Sequence, residues 1–247
     1  MKIVATIEAR MTSTRLPGKV LLPALGRPML AHLTSRLKAV PSIDEIVLAT
    51  TTNATDDVLA EFAERDGIAL FRGSEDDVLG RVLCAAESKS ADVIVEISGD
   101  CPIIDPDLIE QTIRTFKRNP QAAFAANATI SSYPGGMDTA VFTLKALKTS
   151  AAMTDDTLDR EHVCRFIVNH PELFPYVYLI APPSLHWPEV CLTLDEPADY
   201  ELIRTLIEHF GEDSPLFSCG DVIRALRQHP EWLTINPHVK RNDPRPT

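Results

Sequence analysis

Residues 6–19 read T-I-E-A-R-M-T-S-T-R-L-P-G-K, and the reading of this stretch decides the fold. It leaves a short apolar run, Lys2 to Ile7, that reads as a first strand. It holds three cations, Arg10, Arg15 and Lys19, and three adjacent hydroxyls, Thr12, Ser13 and Thr14, and it ends at Pro17-Gly18 before Lys19. A helical spacing, Leu30, Leu33 and Leu37, begins soon after. A cationic, hydroxyl-rich loop leaving the first strand of an α/β chain is a place where phosphate is held.

Outward from this loop the chain keeps alternating. Ile43–Thr50 (I-D-E-I-V-L-A-T) reads as a second strand, Ala69–Arg72 as a short third and Asp92–Ser98 (D-V-I-V-E-I-S) as a fourth. Amphipathic segments separate them. One helix starts at Arg27. A second is capped by Thr55-Asp56-Asp57, with Val58, Leu59, Phe62 and Ala63 inward. A third covers Asp76–Ser88, with Val78, Val82, Leu83 and Ala86 inward. Asp105-Pro106 starts the next, Asp105 as cap and Pro106 at the first helical position. This alternation predicts a mostly parallel sheet with helices on both faces.

The second half is less regular. Ala122–Ala128 is a candidate strand, 130–138 (I-S-S-Y-P-G-G-M-D) a turn-rich loop, Thr139–Thr143 extended and Leu144–Ser150 a short helix. Arg160–Asn169 is expected to be one helix with Val163, Phe166 and Ile167 on one side. Tyr176–Ile180 and Cys191–Leu194 read as strands, Ala198–Phe210 as a helix and Val222–Leu226 as part of another. We expect one domain over residues 1–235. Within it, about 127–190 forms a small inserted subdomain for sugar binding, a lid or dimerisation, and 236–247 is a polar, mobile tail.

Composition narrows the function. The 247 residues suffice for a proper core, and 45% hydrophobic with 24% charged residues describes a soluble globular enzyme. A net charge of -11 argues against a general nucleic-acid binder, which needs a basic face. In so acidic a chain the cations of residues 10–19 point to a specific anionic ligand. No apolar run reaches the length of a membrane span, and the N-terminus has no signal-peptide layout. The five cysteines, without a C-x-x-C pair, fit reduced thiols in the cytoplasm.

Three constellations can carry chemistry. In the first, Arg10 and Arg15 can hold phosphate oxygens in bidentate fashion, with Ser13 beside them, while Lys19 supplies a point charge for leaving pyrophosphate. It is neither a P-loop nor a dinucleotide fingerprint, because both glycine patterns are absent. In the second, Ser98-Gly99-Asp100-Cys101-Pro102 closes a buried-looking strand, where ligands of open α/β sheets sit. Asp100 there suits Mg²⁺, a cation held by one or two carboxylates beside substrate phosphates; a plain capping Asp is the alternative. In the third, Thr193 to Asp199 (T-L-D-E-P-A-D) places Asp195 to complete the same metal site, although Asp-Glu-Pro is also an ordinary helix start.

With these residues in view, the chain resembles the sugar nucleotidyltransferases of the cytidylyltransferase type, which make CMP-activated octulosonate and sialic-type acids. It is most similar to their spore-coat-polysaccharide branch. The resemblance rests on A-R-M-T-S-T-R-L-P-G-K at 9–19, R-G-S-E-D-D-V-L-G-R at 72–81, S-G-D-C-P at 98–102, G-M-D-T at 136–139, D-R-E-H-V at 159–163 and L-D-E-P-A-D-Y at 194–200. It implies a nucleotide-diphospho-sugar transferase-like, Rossmann-like α/β fold. It implies Ala9, Arg10, Ser13, Arg15, Lys19, Gly73, Ser74, Arg81 and Ser98 at the nucleotide, with Gly73, Ser74 and Arg81 near base or ribose. Asp100 and Asp195 would hold a catalytic Mg²⁺, and Arg15, Lys19 and Asp100 would carry catalysis.

The partners implied are CTP and a sugar or sugar acid, in a homodimer. Ser98 stands where the octulosonate enzymes carry the Gln that reads the pyrimidine, so GTP or another nucleotide stays open. Candidate sugar contacts are Asp138 in the loop, and Arg160, Glu161 and His162, expected to open a helix whose N–H groups face a sugar carboxylate. Two rivals remain: a glycosyltransferase, for which Asp105-Pro106-Asp107 has D-x-D spacing, and a non-catalytic nucleotide-binding scaffold.

Overall fold

The computed structural model describes residues 1–237. The chain opens with β1 (Ile3–Glu8), and after the cationic loop a two-residue ribbon, β2 (Pro23–Ala24) with β3 (Arg27–Pro28), leads into α1 (Met29–Lys38). Helix α1 therefore starts two residues later than the leucine spacing suggests, because Arg27 and Pro28 are spent on the ribbon. Next come β4 (Glu45–Thr51), α2 (Asp57–Asp66), β5 (Ala69–Gly73), α3 (Val78–Ser88), β6 (Val93–Ser98) and α4 (Pro106–Arg118). The second half adds β7 (Phe124–Ala126), β8 (Ala140–Thr143), α5 (Leu144–Met153), α6 (Thr157–Glu161), α7 (Arg165–Asn169), β9 (Tyr176–Tyr178), α8 (Pro197–Phe210) and α9 (Cys219–Gln228).

Seven strands form one sheet in the order β5-β4-β1-β6-β8-β7-β9. β5, β4, β1 and β6 are mutually parallel, β8 is antiparallel to both its neighbours, and β9 runs parallel to β7. The first four strands read as unbroken apolar runs because both faces of a parallel sheet are covered. In β1, Ile3, Ala5 and Ile7 face one layer, with Leu33 and Leu37 of α1, Leu59 and Phe62 of α2 and Ile109, Ile113 and Phe116 of α4. Val4 faces the other, with Leu79, Val82 and Ala86 of α3 and Phe166 of α7. The stretch 127–190 is woven into this architecture, since its β8 and β9 lie in the main sheet. A third apolar cluster joins α8 and α9 to Ile103, Tyr133, Met137, Leu192 and Leu194.

Four local readings are corrected. Asp56 does not cap α2 with its side chain; it is buried and accepts from the Thr50 and Thr51 hydroxyls and from the Met11 N–H. Val58 on that helix is exposed, while Leu79, unexpected as a core residue, is fully buried. The segment 160–169 is two short helices parted at His162, whose backbone is extended (φ -110°, ψ 92°). Cys191–Leu194 joins no sheet: Leu192 bonds Gly135 and Leu194 bonds the Asp100 carbonyl. The tail expected from Asn236 lies from residue 238 onward outside the described residues. Asn236 itself is fixed, its amide donating to the Cys191 carbonyl and the Asp199 carboxylate.

Candidate active site

The sheet order sets the place. From β1 the chain runs out to β4 and β5 and then returns to β6 on the other flank of β1. Neighbouring connections thus leave β1 and β6 in opposite directions, and their carboxyl ends, Glu8-Ala9 and Ser98-Gly99-Asp100, flank the crevice where such sheets bind ligands. A cleft of about 1140 Å³ opens there. Gly99 makes the approach possible: its N–H donates to the Glu8 carbonyl at 2.9 Å, and a Cβ on it would stand 2.6 Å from that oxygen. Gly99→Ala is expected to part the two strand ends, costing about 1–3 kcal/mol by overpacking. A thermal melt should show a midpoint lower by roughly 2–12 °C, and activity should fall with it.

The cationic loop is pinned at both ends. Gly18 adopts a left-handed turn (φ 70°) and bonds the Met11 carbonyl, while Met11 N–H is held by buried Asp56 at 2.8 Å. Glu75, in the loop before α3, gathers the Arg10 guanidinium (2.8 Å), the Thr12 hydroxyl (2.5 Å) and the Asn53 amide (2.5 Å). These contacts, the Thr12 hydroxyl foremost, hold its carboxyl below the usual range. The loop is thus shaped before any anion arrives, which lowers the cost of ordering it on binding.

Across the crevice two carboxylates converge on one ammonium. Lys19 Nζ lies 2.9 Å from Asp195 Oδ1 and 3.4 Å from Asp100 Oδ2, and Arg15 pairs with Asp195 at 2.9 Å. Burial opposes the charge on Lys19, but Asp100 and Asp195 together outweigh it, and its pKa stands above the ordinary lysine value. Asp195 is positioned by the start of α8, where Asp199 accepts from the N–H groups of Asp195 and Glu196. Among the described residues no group of three or more His, Cys, Asp or Glu side chains is arranged to hold a metal.

Ala9, Arg10, Ser13, Arg15, Lys19 and Ser98 all line the cleft. So do Arg81, Asp100, Asp138, Glu161, His162 and Asp195. Gly73, Ser74 and Arg160 do not. The Gly73 carbonyl accepts from Thr52 N–H, and the Ser74 carbonyl accepts from the buried Arg81 guanidinium. Arg160 closes α6 rather than opening a helix. Its guanidinium is spent on the Ala151 and Thr154 carbonyls and on Asp77.

Asp105, the D-x-D candidate, caps α4 and accepts the Cys219 N–H at 2.7 Å, which gives it a structural use. Sequence reasoning missed Asp56, Glu75, Glu8 and Glu96. The signal for the last two is a carboxylate inside an otherwise apolar strand.

A cationic loop facing paired carboxylates at a switch point fits a nucleotidyltransferase-type α/β enzyme. The chain belongs to the cytidylyltransferase family, whose pattern matches residues 4–212. It is 34% identical over 238 residues to the spore coat polysaccharide biosynthesis protein SpsF of Bacillus subtilis, covering 94% of this chain and 97% of that protein. A cytidylyltransferase structure from Leptospira borgpetersenii superposes with a TM-score of 0.89 at 31% identity, over 98% of this chain and all of that one. A CMP-octulosonate synthetase complexed with CTP shares the fold at a TM-score of 0.63 and 18% identity, over 85% of this chain and 99% of that one. No described helix is long and apolar enough to cross a membrane.

Proposed function

We propose that this protein transfers CMP from CTP to a sugar hydroxyl with release of pyrophosphate, for surface polysaccharide or glycan synthesis. The observation that carries the reading is the convergence of Arg15, Lys19, Asp100 and Asp195 at the β1–β6 crevice. The polysaccharide role of SpsF and the CTP held by the structural neighbour support the substrate pair. Within this reading Arg10, Ser13 and Arg15 hold the triphosphate, and Lys19 neutralises charge as the β–γ unit departs. Positioning and charge neutralisation are the main needs of such in-line transfer.

Mg²⁺ belongs to the same proposal. The two carboxylates already share one cation, the Lys19 ammonium, so the donor set suits a hard cation that draws its remaining ligands from phosphate and water. Asp100 and Asp195 would hold it, and when bound it supplies electrostatic activation of phosphate and hydroxyl oxygens. The family resemblance also leads us to expect a homodimer in the cytoplasm; exposed Tyr176 and Ile180 at the β9 edge suit a subunit contact.

The test is pyrophosphate release with CTP, GTP, UTP and ATP against a panel of sugars, sugar acids and sugar phosphates. CTP is expected to exceed the others by about tenfold or more, a discrimination of at least roughly 1.4 kcal/mol. Release only with GTP would shift the reading to GMP transfer, and transfer of sugar from a nucleotide sugar would mark a glycosyltransferase. The base stays part of the test because Ser98, exposed on the cleft wall, is a short side chain with little to offer a pyrimidine edge.

A further inference from the structure

The floor of the cleft carries two carboxyls, Glu8 and Glu96, to which the proposed transfer reaction gives no role. Glu8 ends β1 and Glu96 sits in β6, two residues before Ser98; the strand register places Glu96 beside Thr6, on the same face as Glu8. Both line the cleft, with Asp138 and Cys164. Glu96 accepts the Cys164 thiol at 3.2 Å, a weak donor. The Glu8 carboxyl hydrogen-bonds Glu96 and Thr6, yet its Oε1 atom and Thr139 Oγ1 are buried with no partner of their own, and both residues line this cleft. Thr139 is only 1% exposed. An orphaned buried oxygen costs free energy unless a ligand donates to it.

The cations nearby are committed elsewhere. Arg81 offsets part of the charge of Glu8, but its guanidinium bonds the Ala49 and Ser74 carbonyls. Arg165 is paired with Asp156 and Asp159, and Arg160 is off the cleft. An acceptor carboxylate would therefore meet carboxyls at this end, with no uncommitted guanidinium among these three.

We propose that this floor is the acceptor subsite, and that Glu8 and Glu96 select a sugar bearing a free amino group, whose ammonium donates to their carboxyl oxygens. The inference rests on the transfer reaction proposed above and names the class of its acceptor. Burial first, and then the neighbouring Glu96, pushes the Glu8 carboxyl well up; burial likewise raises Glu96, with Asp138 and Asp100 adding to it. Two carboxyls that resist ionising together in a poorly solvated floor favour a ligand that brings positive charge and N–H donors together. N-acetylation removes both the charge and two donors, so the site discriminates at that atom. Thr139 provides a neighbouring hydroxyl for the sugar ring.

The experiment uses matched sugars: glucosamine, galactosamine and mannosamine, each beside its N-acetyl and its hydroxyl counterpart, with glucuronate as the acid. Binding to the protein in the presence of CTP and Ca²⁺, followed by calorimetry, is read separately from pyrophosphate release with Mg²⁺. The free amines are expected to bind about 10–100-fold more tightly than their N-acetyl partners, the range of a charge-assisted hydrogen bond lost from a buried site. Glu8→Gln and Glu96→Gln, close in shape, should each shrink that ratio toward one; should either fail to fold, the wild-type ratio alone decides. Equal or better binding of the N-acetyl, hydroxyl or acidic sugars overturns the inference, as does no binding by any amine. Amine binding without pyrophosphate release overturns the transfer reaction and leaves the amine subsite standing.

Discussion

Asp100→Asn is expected to lower pyrophosphate release by about 10³-fold or more, equivalent to roughly 4 kcal/mol of transition-state stabilisation, while leaving the fold intact. The side chain is about one-fifth exposed and its contacts are few: the Lys19 ammonium at 3.4 Å and the Cys101 thiol at 3.4 Å. Its backbone carbonyl, not its carboxylate, holds the Leu194 strand segment, and that bond survives the substitution. Lys19 keeps its closer partner Asp195 at 2.9 Å when the charge on Asp100 is removed, so the melting point should move by no more than a few degrees.

Function is a different matter, because Asn keeps the shape and removes the negative charge that would hold a hard cation beside the triphosphate. Mn²⁺ binding to the nucleotide complex, followed by electron paramagnetic resonance, should weaken in parallel. Turnover within about threefold of wild type, a difference under roughly 1 kcal/mol, would remove Asp100 from the metal role.

The parallel half of the fold was legible because its strands answer to a simple rule. V-I-V-E-I-S, Glu96 apart, and I-V-L-A-T are apolar on both faces, and only a sheet covered on both sides accepts such runs. The helix from Arg160 to Asn169 was misread for a related reason. Val163, Phe166 and Ile167 are all buried, as their spacing suggests. Yet Val163 reaches the core from the extended break at His162, while Asp159, tied to Thr154 and Arg165, sits in the first turn of the first short helix. Periodicity reports which side chains go inward, not which backbone carries them.

Asp56 shows the same limit: Asp before a helix reads as a cap until the tertiary structure brings Met11 and Thr51 within reach. In the site, the motif residues Lys19, Asp100 and Asp195 meet across separations of 81 and 176 positions, a convergence that order along the chain suggested and only the sheet could supply. Glu8 and Glu96 carry no motif. A carboxylate inside an apolar strand announces a buried charge, but its partner across the strand pair is set by register, which no single stretch contains.

Lys19 makes the second large prediction, because its substitution should move two readouts in opposite directions. Its ammonium, about one-eighth exposed, stands between Asp195 and Asp100 and neutralises both. A metal entering between those carboxylates without nucleotide must displace it, so the protein's own cation competes for the site. In the proposed reaction a bound triphosphate would give the same ammonium anionic partners, and Asp100 and Asp195 would be left to hold the metal.

Lys19→Ala should therefore slow pyrophosphate release by about 10²–10³-fold, the usual loss on deleting a group that stabilises developing charge. It should also tighten Mn²⁺ binding to the nucleotide-free protein, by about 5–150-fold if the coupling lies in the common range. Lys19→Arg keeps the charge and should leave Mn²⁺ binding near wild type. Some stability is lost in the alanine variant, since Asp100 and Asp195 are left facing each other with Arg15 alone at 2.9 Å from the latter. A wild-type rate in Lys19→Ala would take Lys19 out of the chemistry. Unchanged Mn²⁺ affinity would mean that the two carboxylates, although they share a lysine, do not share a metal.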